Sequence, residues 1–193
     1  MKICILMGSP RRNGNTASLL KPFAEELKKH DAEVCAIDLY SKTIEPCIAC
    51  RVCQDIPGAF GCPQEDDMQS IFDAILEADL FVLATPIYAW YCTAPMKAML
   101  DRLAYGMNKY YGNMAKKESL WEKKKCAVIS TSGYPVEKGT DLFEEGMKRY
   151  CKHSKLDFIG MLSVHDKGYH VEFMNDQKTD EARRFADQIL KSC

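Results

Sequence analysis

The stretch from Ile3 to Lys29 constrains this chain more than any other. An apolar run, Ile3 to Met7, breaks into Gly8-Ser9-Pro10-Arg11-Arg12-Asn13-Gly14-Asn15-Thr16, and a helical pattern follows with Leu19, Leu20, Phe23 and Leu27 on one face. A strand that turns directly into a helix leaves the N–H groups of the helix's first turn unpaired at the loop. Here Ser9, Asn13, Asn15, Thr16 and two guanidinium groups add further donors. Donors gathered in this way suit a single anionic group, and a phosphate is the natural guest. An ordinary turn capped by Asn15 or Thr16 is the plainer alternative.

The common nucleotide loops need residues that are missing here. No Lys-Ser/Thr pair follows a glycine-rich run, which excludes a Walker loop. The dinucleotide fingerprint needs three glycines to bring the backbone against a pyrophosphate, and only Gly8 and Gly14 are present. A terminal monophosphate fits better.

With 193 residues and 47% apolar content, the chain has enough material for one α/β domain with a full core, spanning 1–193. Lys and Arg total 26 against 27 for Asp and Glu, so there is no electrostatic case for nucleic acid or an anionic membrane as partner. The first apolar run is too short for a signal segment and no stretch is long enough to span a bilayer, so a cytoplasmic location is expected. The ten cysteines are then thiols or metal ligands rather than disulfides.

Strands and helices alternate. The pattern predicts strands at Ile3 to Met7, Glu33 to Leu39, Leu80 to Ala84, Lys125 to Thr131 and Leu156 to Val164. Helices are predicted at Thr16 to Lys29, after a cap at Asp66 or Asp67, at Pro95 to Leu103, at Thr140 to Cys151 and at Thr179 to Lys191. This alternation implies a five-stranded parallel sheet with helices on both faces. Ligands of such sheets bind beyond the carboxyl ends of the strands, at the switch in strand order, which selects the loops after strands one, three and four. The second of these, Thr85-Pro86-Ile87-Tyr88-Ala89-Trp90-Tyr91, offers a stacking surface for a flat ring. The third, Thr131-Ser132-Gly133-Tyr134-Pro135, adds small donors and a glycine. Taken singly, each loop reads equally well as buried aromatics closing a sheet.

Three ordered motifs, the Gly8 to Thr16 loop, Thr85-Pro86-Ile87-Tyr88 and Pro95-Met96-Lys97-Ala98-Met99-Leu100-Asp101-Arg102, carry a family likeness over nearly the whole chain. The chain resembles the NADPH-dependent FMN reductase and iron–sulfur flavoprotein group of the flavodoxin-like fold. The resemblance implies that Ser9, Arg11, Asn13, Asn15 and Thr16 hold the FMN phosphate, and that Pro86, Ile87, Tyr88, Ala89 and Trp90 line the isoalloxazine. Thr131, Ser132 and Gly133 complete the ring site. Asp101 and Arg102 are expected to be packing or interface residues. It also implies a homodimer or homotetramer.

A cysteine loop at 46–63 holds Cys47, Cys50, Cys53 and Cys62. Three thiols at intervals of three match bacterial ferredoxin ligation, whereas zinc sites more often use two separated pairs. The iron–sulfur flavoproteins carry a similar motif with a shorter final gap, so Cys62 is the odd member, and Gly58 and Gly61 let the longer loop fold back. One 4Fe-4S cluster, zinc and free thiols are the readings open at this point. Cys4, Cys35 and Cys126 read as small buried hydrophobes, Cys92, Cys151 and Cys193 have no nameable partner, and His153, His165 and His170 are scattered. The long connection at 104–124, with Tyr105, Tyr110, Tyr111 and Trp121, reads equally as a lid or subunit contact and as a solvated loop.

No nucleophile and base pair is visible, which agrees with chemistry carried by a cofactor. The expected function is an FMN-dependent oxidoreductase that takes electrons from NAD(P)H and passes them to a small-molecule or protein acceptor: a quinone, a nitroaromatic, a ferric complex or an iron–sulfur protein. A flavodoxin-type electron carrier and a zinc-stabilised interaction domain are the alternatives.

Overall fold

A helix between successive strands returns the chain to the same edge of the sheet, so each new strand starts parallel to the last. In this computed structural model, which describes residues 1–110, 118–168 and 170–192, five strands obey that rule. They are β1 (Lys2–Met7), β2 (Glu33–Asp38), β3 (Leu80–Ile87), β4 (Lys125–Ser132) and β5 (Asp157–His165), all parallel, in the order β2-β1-β3-β4-β5. The four crossovers carry α1 (Asn15–Lys29), α2 (Met68–Glu77), α3 (Ala94–Met107) and α4 (Asp141–Ser154), and α5 (Asp176–Lys191) follows the last strand. The strand order is the doubly wound one expected from the alternation, with its switch between β1 and β3.

Side chains alternate along each strand between two cores. Ile3, Ile5, Leu80 and Val82 point to the face covered by α1 and α5, where Leu19, Phe23 and Phe185 pack. Cys4, Leu6, Phe81 and Leu83 point to the face covered by α2, α3 and α4, against Phe72, Met99 and Phe143. The central strand β3 is buried along its whole length, as a strand covered on both faces must be. Among the described residues no helix is long and apolar enough to cross a membrane.

Every predicted strand and helix is present, and the differences lie at the ends. Helix α3 runs on past Leu103 to Met107 through Tyr105 and Gly106, and the glycine leaves room for the buried ring of Phe60. At α2 it is Asp66 whose carboxylate accepts the Met68 N–H at 3.1 Å, while Asp67 turns back to the Thr43 N–H at 2.8 Å. Helix α5 starts at Asp176, because the Asn175 side chain accepts from the Lys178 N–H at 2.9 Å.

Cys4 and Cys126 are buried as expected, but Cys35 is exposed, because β2 is an edge strand with no element beyond it. The connection expected from residue 104 starts at Asn108, where Asn108–Lys109 pair with Glu118–Ser119 in a short antiparallel ribbon. Trp121 belongs to the core rather than to a lid: it is buried, parallel to the Phe81 ring at 5.7 Å and edge-on to Tyr150 at 6.1 Å. Tyr111, with the rest of 111–117, and Cys193 lie outside the described residues.

Removing the Trp121 ring leaves a large void beside the central strand. Trp121→Ala is expected to cost about 3–5 kcal/mol. Urea denaturation followed by circular dichroism checks this, and a midpoint equal to that of the parent would contradict the core placement.

Candidate functional site

The sheet register delivers the site. Ile87, Ser132 and His165 stand abreast at the carboxyl ends of β3, β4 and β5, so the loops that follow these strands leave from one line. Strand β1 ends at Met7, and the Gly8 N–H is held by the Ala84 carbonyl at 2.7 Å, which turns the first loop toward the same edge. Together the loops enclose a cleft of about 980 Å³, near the upper end of ordinary cofactor sites, about 300–1,000 Å³.

On one side lies the start of α1. Gly14 occupies the N-cap with no side-chain capping bond, and the Gly14 N–H returns to the Arg11 carbonyl at 3.0 Å. The N–H groups of Asn15, Thr16 and Ala17 have no acceptor among the described residues. They form the donor set of a helix N-terminus that suits an anion. Arg11 and Asn15 line the cleft, whereas Arg12 turns away to Asp38 at 2.9 Å. Ser9 is buried and braces the turn, its hydroxyl accepting from the Arg11 N–H at 3.3 Å. The hydroxyls of Thr16 and Thr131 share a hydrogen bond of 2.9 Å that ties the first turn of α1 to β4.

The opposite wall is aromatic. Tyr88 and Tyr91 exchange two backbone hydrogen bonds, 2.9 and 3.0 Å, around Ala89 and Trp90, whose φ angles are 49° and 64°. Two left-handed residues in such a turn make it type I′, normally the place of Asn and Gly. Each costs on the order of 1–3 kcal/mol, and strain of this kind collects at functional sites. The Trp90 indole stacks on Tyr134 at 5.7 Å and 15° and donates to the Lys138 carbonyl at 3.0 Å, so the loops after β3 and β4 form one wall. Burial pushes the neighbouring Cys92 thiol up to about 12, leaving it inert at neutral pH.

Of the residues expected at the site, Arg11, Asn15, Ile87, Tyr88, Ala89, Trp90, Ser132 and Gly133 line the cleft. Ser9, Thr16, Pro86 and Thr131 are buried and do not line it, and Asn13 is exposed outside the lining. A fourth loop was missed: His165 to Gly168, with Val171 and Phe173, after β5. Lys178 braces that loop, donating to the carbonyls of His165 and Phe173 and lying 3.9 Å from the Phe173 ring centre. Its one sequence signal was its place after a parallel strand.

The cysteine loop surrounds a second cavity. Cys47, Cys50, Cys53 and Cys62 line a small cavity of about 20 Å³ with Arg102 and Tyr105 of α3. Ala49 and Arg51 have φ of 54° and 63°, and Gly58 and Gly61 are also left-handed, which lets the chain wind tightly around that space. Gln54 straps the loop to the end of α3, donating to the carbonyls of Tyr105 and Asn108 at 2.6 and 2.8 Å. The buried Lys109 donates to the carbonyls of Cys53 and Phe60 at 2.8 and 3.1 Å. Burial pushes the Cys53 thiol up, and Lys109 partly offsets this.

Arg102 was expected to be a packing or interface residue. It is buried, with 1% of its side chain exposed, and forms an equally buried ion pair with Asp66. It also donates to the Glu45 carbonyl at 3.2 Å and to the Cys62 sulfur at 3.3 Å. Burial opposes the charge on Asp66, but bonds from Arg102 and from the N–H groups of Glu45 and Met68 outweigh it and hold the carboxyl below its usual range. Asp101, by contrast, is half-exposed and pairs with Lys97 at 2.6 Å.

Helix α3 connects the two cavities. Thr93, at its N-cap, donates its hydroxyl to the Gly8 carbonyl at 2.7 Å, and Arg102 lies about 13.5 Å further along the axis.

Comparison with known proteins agrees with this architecture. The family model described as NADPH-dependent FMN reductase matches residues 1–140. An iron-sulfur flavoprotein of Archaeoglobus fulgidus is 38% identical over 108 residues, 55% of this chain and 47% of that protein. One of Methanocaldococcus jannaschii is 33% identical over 102 residues, 53% of this chain and 51% of its own length. The chain thus spans about half the length of the curated relatives it matches. Among solved structures, the NAD(P)H:quinone oxidoreductase of Methanothermobacter marburgensis superposes with a TM-score of 0.71 at 20% identity, covering 98% of each chain, a likeness of fold.

A methyl group at Gly106 would overlap the Phe60 ring and lift the cysteine loop from α3. Gly106→Ala is therefore expected to raise the alkylation rate of the buried Cys53 by roughly fivefold or more, an overpacking strain of about 1–3 kcal/mol. Mass spectrometry after timed alkylation reads this, and an unchanged Cys53 rate would contradict the packing role of Gly106.

Proposed function

Because the chain belongs to the NADPH-dependent FMN reductase family, we propose that it binds FMN in the large cleft and passes electrons from NAD(P)H to an acceptor. The observation that carries this reading is the uncapped N-terminus of α1 facing an aromatic wall across one cleft. Its donors suit a monophosphate, and the wall suits a planar ring.

In this reading the N–H groups at the start of α1, with Arg11, Asn13 and Asn15, hold the phosphate. Ser9 keeps the loop in shape, and Thr16 fixes the helix end through Thr131. Ile87, Tyr88, Ala89 and Trp90 on one side, and Ser132 and Gly133 on the other, hold the ring, with Pro86 setting the course of the chain behind it. When bound, FMN supplies the acceptance of a hydride from the nicotinamide and the release of electrons to a second substrate. The chain's part is to orient the two rings, exclude water with Trp90 and Tyr134, and point backbone donors at the developing negative charge. A quinone, a nitroaromatic, a ferric complex or an iron–sulfur protein is the proposed acceptor class. A single cytoplasmic domain working as a homodimer or homotetramer completes the proposal.

The same proposal assigns a 4Fe-4S cluster to Cys47, Cys50, Cys53 and Cys62. The donor set fits: four thiols line one cavity, and among the described residues no three of them bring their sulfurs within 4.8 Å of one another. That is wider than a single zinc ion draws its thiolates, about 3.8 Å apart at Zn–S bonds of about 2.3 Å. The left-handed residues Ala49 and Arg51, on either side of Cys50, wrap the backbone around the space between the thiols. The cavity is small, about 20 Å³, and the stretch from Ile48 to Cys50 on its outer side is exposed.

Two measurements test the flavin reading. Asn15→Ala combined with Thr16→Val is expected to weaken FMN binding about tenfold or more, roughly 1.4 kcal/mol, with circular dichroism unchanged. Calorimetric titration of the apo-protein giving the parent affinity would contradict it. Sustained NADPH oxidation with a simple quinone is expected of an enzyme, and reduction that stops at bound flavin would reveal a carrier.

A further inference from the structure

Two basic side chains border the cysteine cavity. These, Arg102 and Lys109, are buried beside it with 2% and 0% of their surface exposed. Among the described residues the carboxylate bonded to Arg102 is that of Asp66, while Lys109 donates to two carbonyls and has the charge of Glu118 near it. Buried donors and positive charge at the edge of a cavity favour an anionic occupant. The guanidinium is also incompletely used. One amino group donates to Asp66 and Glu45 and the other to the Cys62 sulfur at 3.3 Å, while the buried Nε finds no acceptor among the described residues. Pairing with Asp66 alone does not account for the contact with the Cys62 sulfur.

We propose that Arg102 is a positioning residue for the metal–thiolate site: oriented by Asp66, it draws Cys62 into the ligand set and favours the reduced form of the bound cluster. The inference rests on the cluster assignment made above. It also accounts for the long gap between Cys53 and Cys62, because the Arg102 bond supplies the anchoring that the spacing alone does not. Reduction of the cluster adds one electron, drawn from flavin reduced by NAD(P)H, and makes or breaks no bond. The charge on the cluster and its four thiolates becomes one unit more negative. A fixed cation and N–H donors aimed at sulfur favour that change, so their removal lowers the reduction potential.

The test uses FMN-loaded protein reconstituted without oxygen with ferrous iron and sulfide. The parent is compared with Arg102→Lys, which keeps the charge but loses the fork, and with Asp66→Asn combined with Arg102→Met, which removes both members of the buried ion pair together. Iron, sulfide and FMN contents and circular dichroism establish loading and folding, and redox titration followed by electron paramagnetic resonance reads the midpoint. Loaded variants are expected to be reduced at lower potential, with the equilibrium shifted tenfold or more, about 59 mV for one electron. Variants that load fully and titrate at the parent potential overturn the role of Arg102 and leave the cluster assignment standing. A parent protein that takes up no iron and sulfide overturns the cluster assignment and the role of Arg102 with it, and leaves the flavin reading untouched.

Discussion

A strand apolar on both faces must be covered on both, and β3 is such a strand from Leu80 to Ile87. That requirement places helices above and below the sheet, and a helix in every crossover makes the strands parallel. Parallel strands leave all their carboxyl ends at one edge, so loops distant in sequence meet there. The line formed by Ile87, Ser132 and His165 is the direct result. The cleft thus follows from burial at the centre of the sheet, and its donors and aromatics are details added at an edge that already existed.

Helix α3 extends that logic to a second cavity. Its N-terminus is bonded to the first loop through Thr93, its middle carries Arg102 to the cysteine cavity, and its last turn admits Phe60 against Gly106. Gln54 and Lys109 close the arrangement by holding the cysteine loop to the carbonyls and ribbon at the helix end. One rigid element therefore sets the distance between the two cavities. A glycine inside a helix costs about 1 kcal/mol relative to alanine, and here it is the condition for the loop to dock at all.

Periodicity made the strands, the helices and their order legible, because an apolar pattern survives whatever the local ends do. The first loop was legible for the same reason: a turn between β1 and α1 has few conformations, and its donors are written in residue types. The type I′ turn at Ala89 and Trp90 was not, since neither residue favours a positive φ and the surrounding structure imposes it. Trp121 read as part of a connection because only its contact with Phe81, forty residues away in sequence, makes it core. Arg102 read as packing because its second partner, Cys62, is brought there by a loop whose path no local pattern records. The loop after β5 was passed over because its residue types are unremarkable away from the cleft.

The two tryptophans occupy opposite environments, Trp121 at 1% exposure in the core and Trp90 at 46% on the rim of the cleft. Their emission therefore reports different events: the buried indole, shifted to the blue, follows unfolding, and the rim indole, shifted to the red, follows whatever enters the cleft. The molecule is in this sense supplied with two internal dyes, and replacing either one leaves the other to be read without any label.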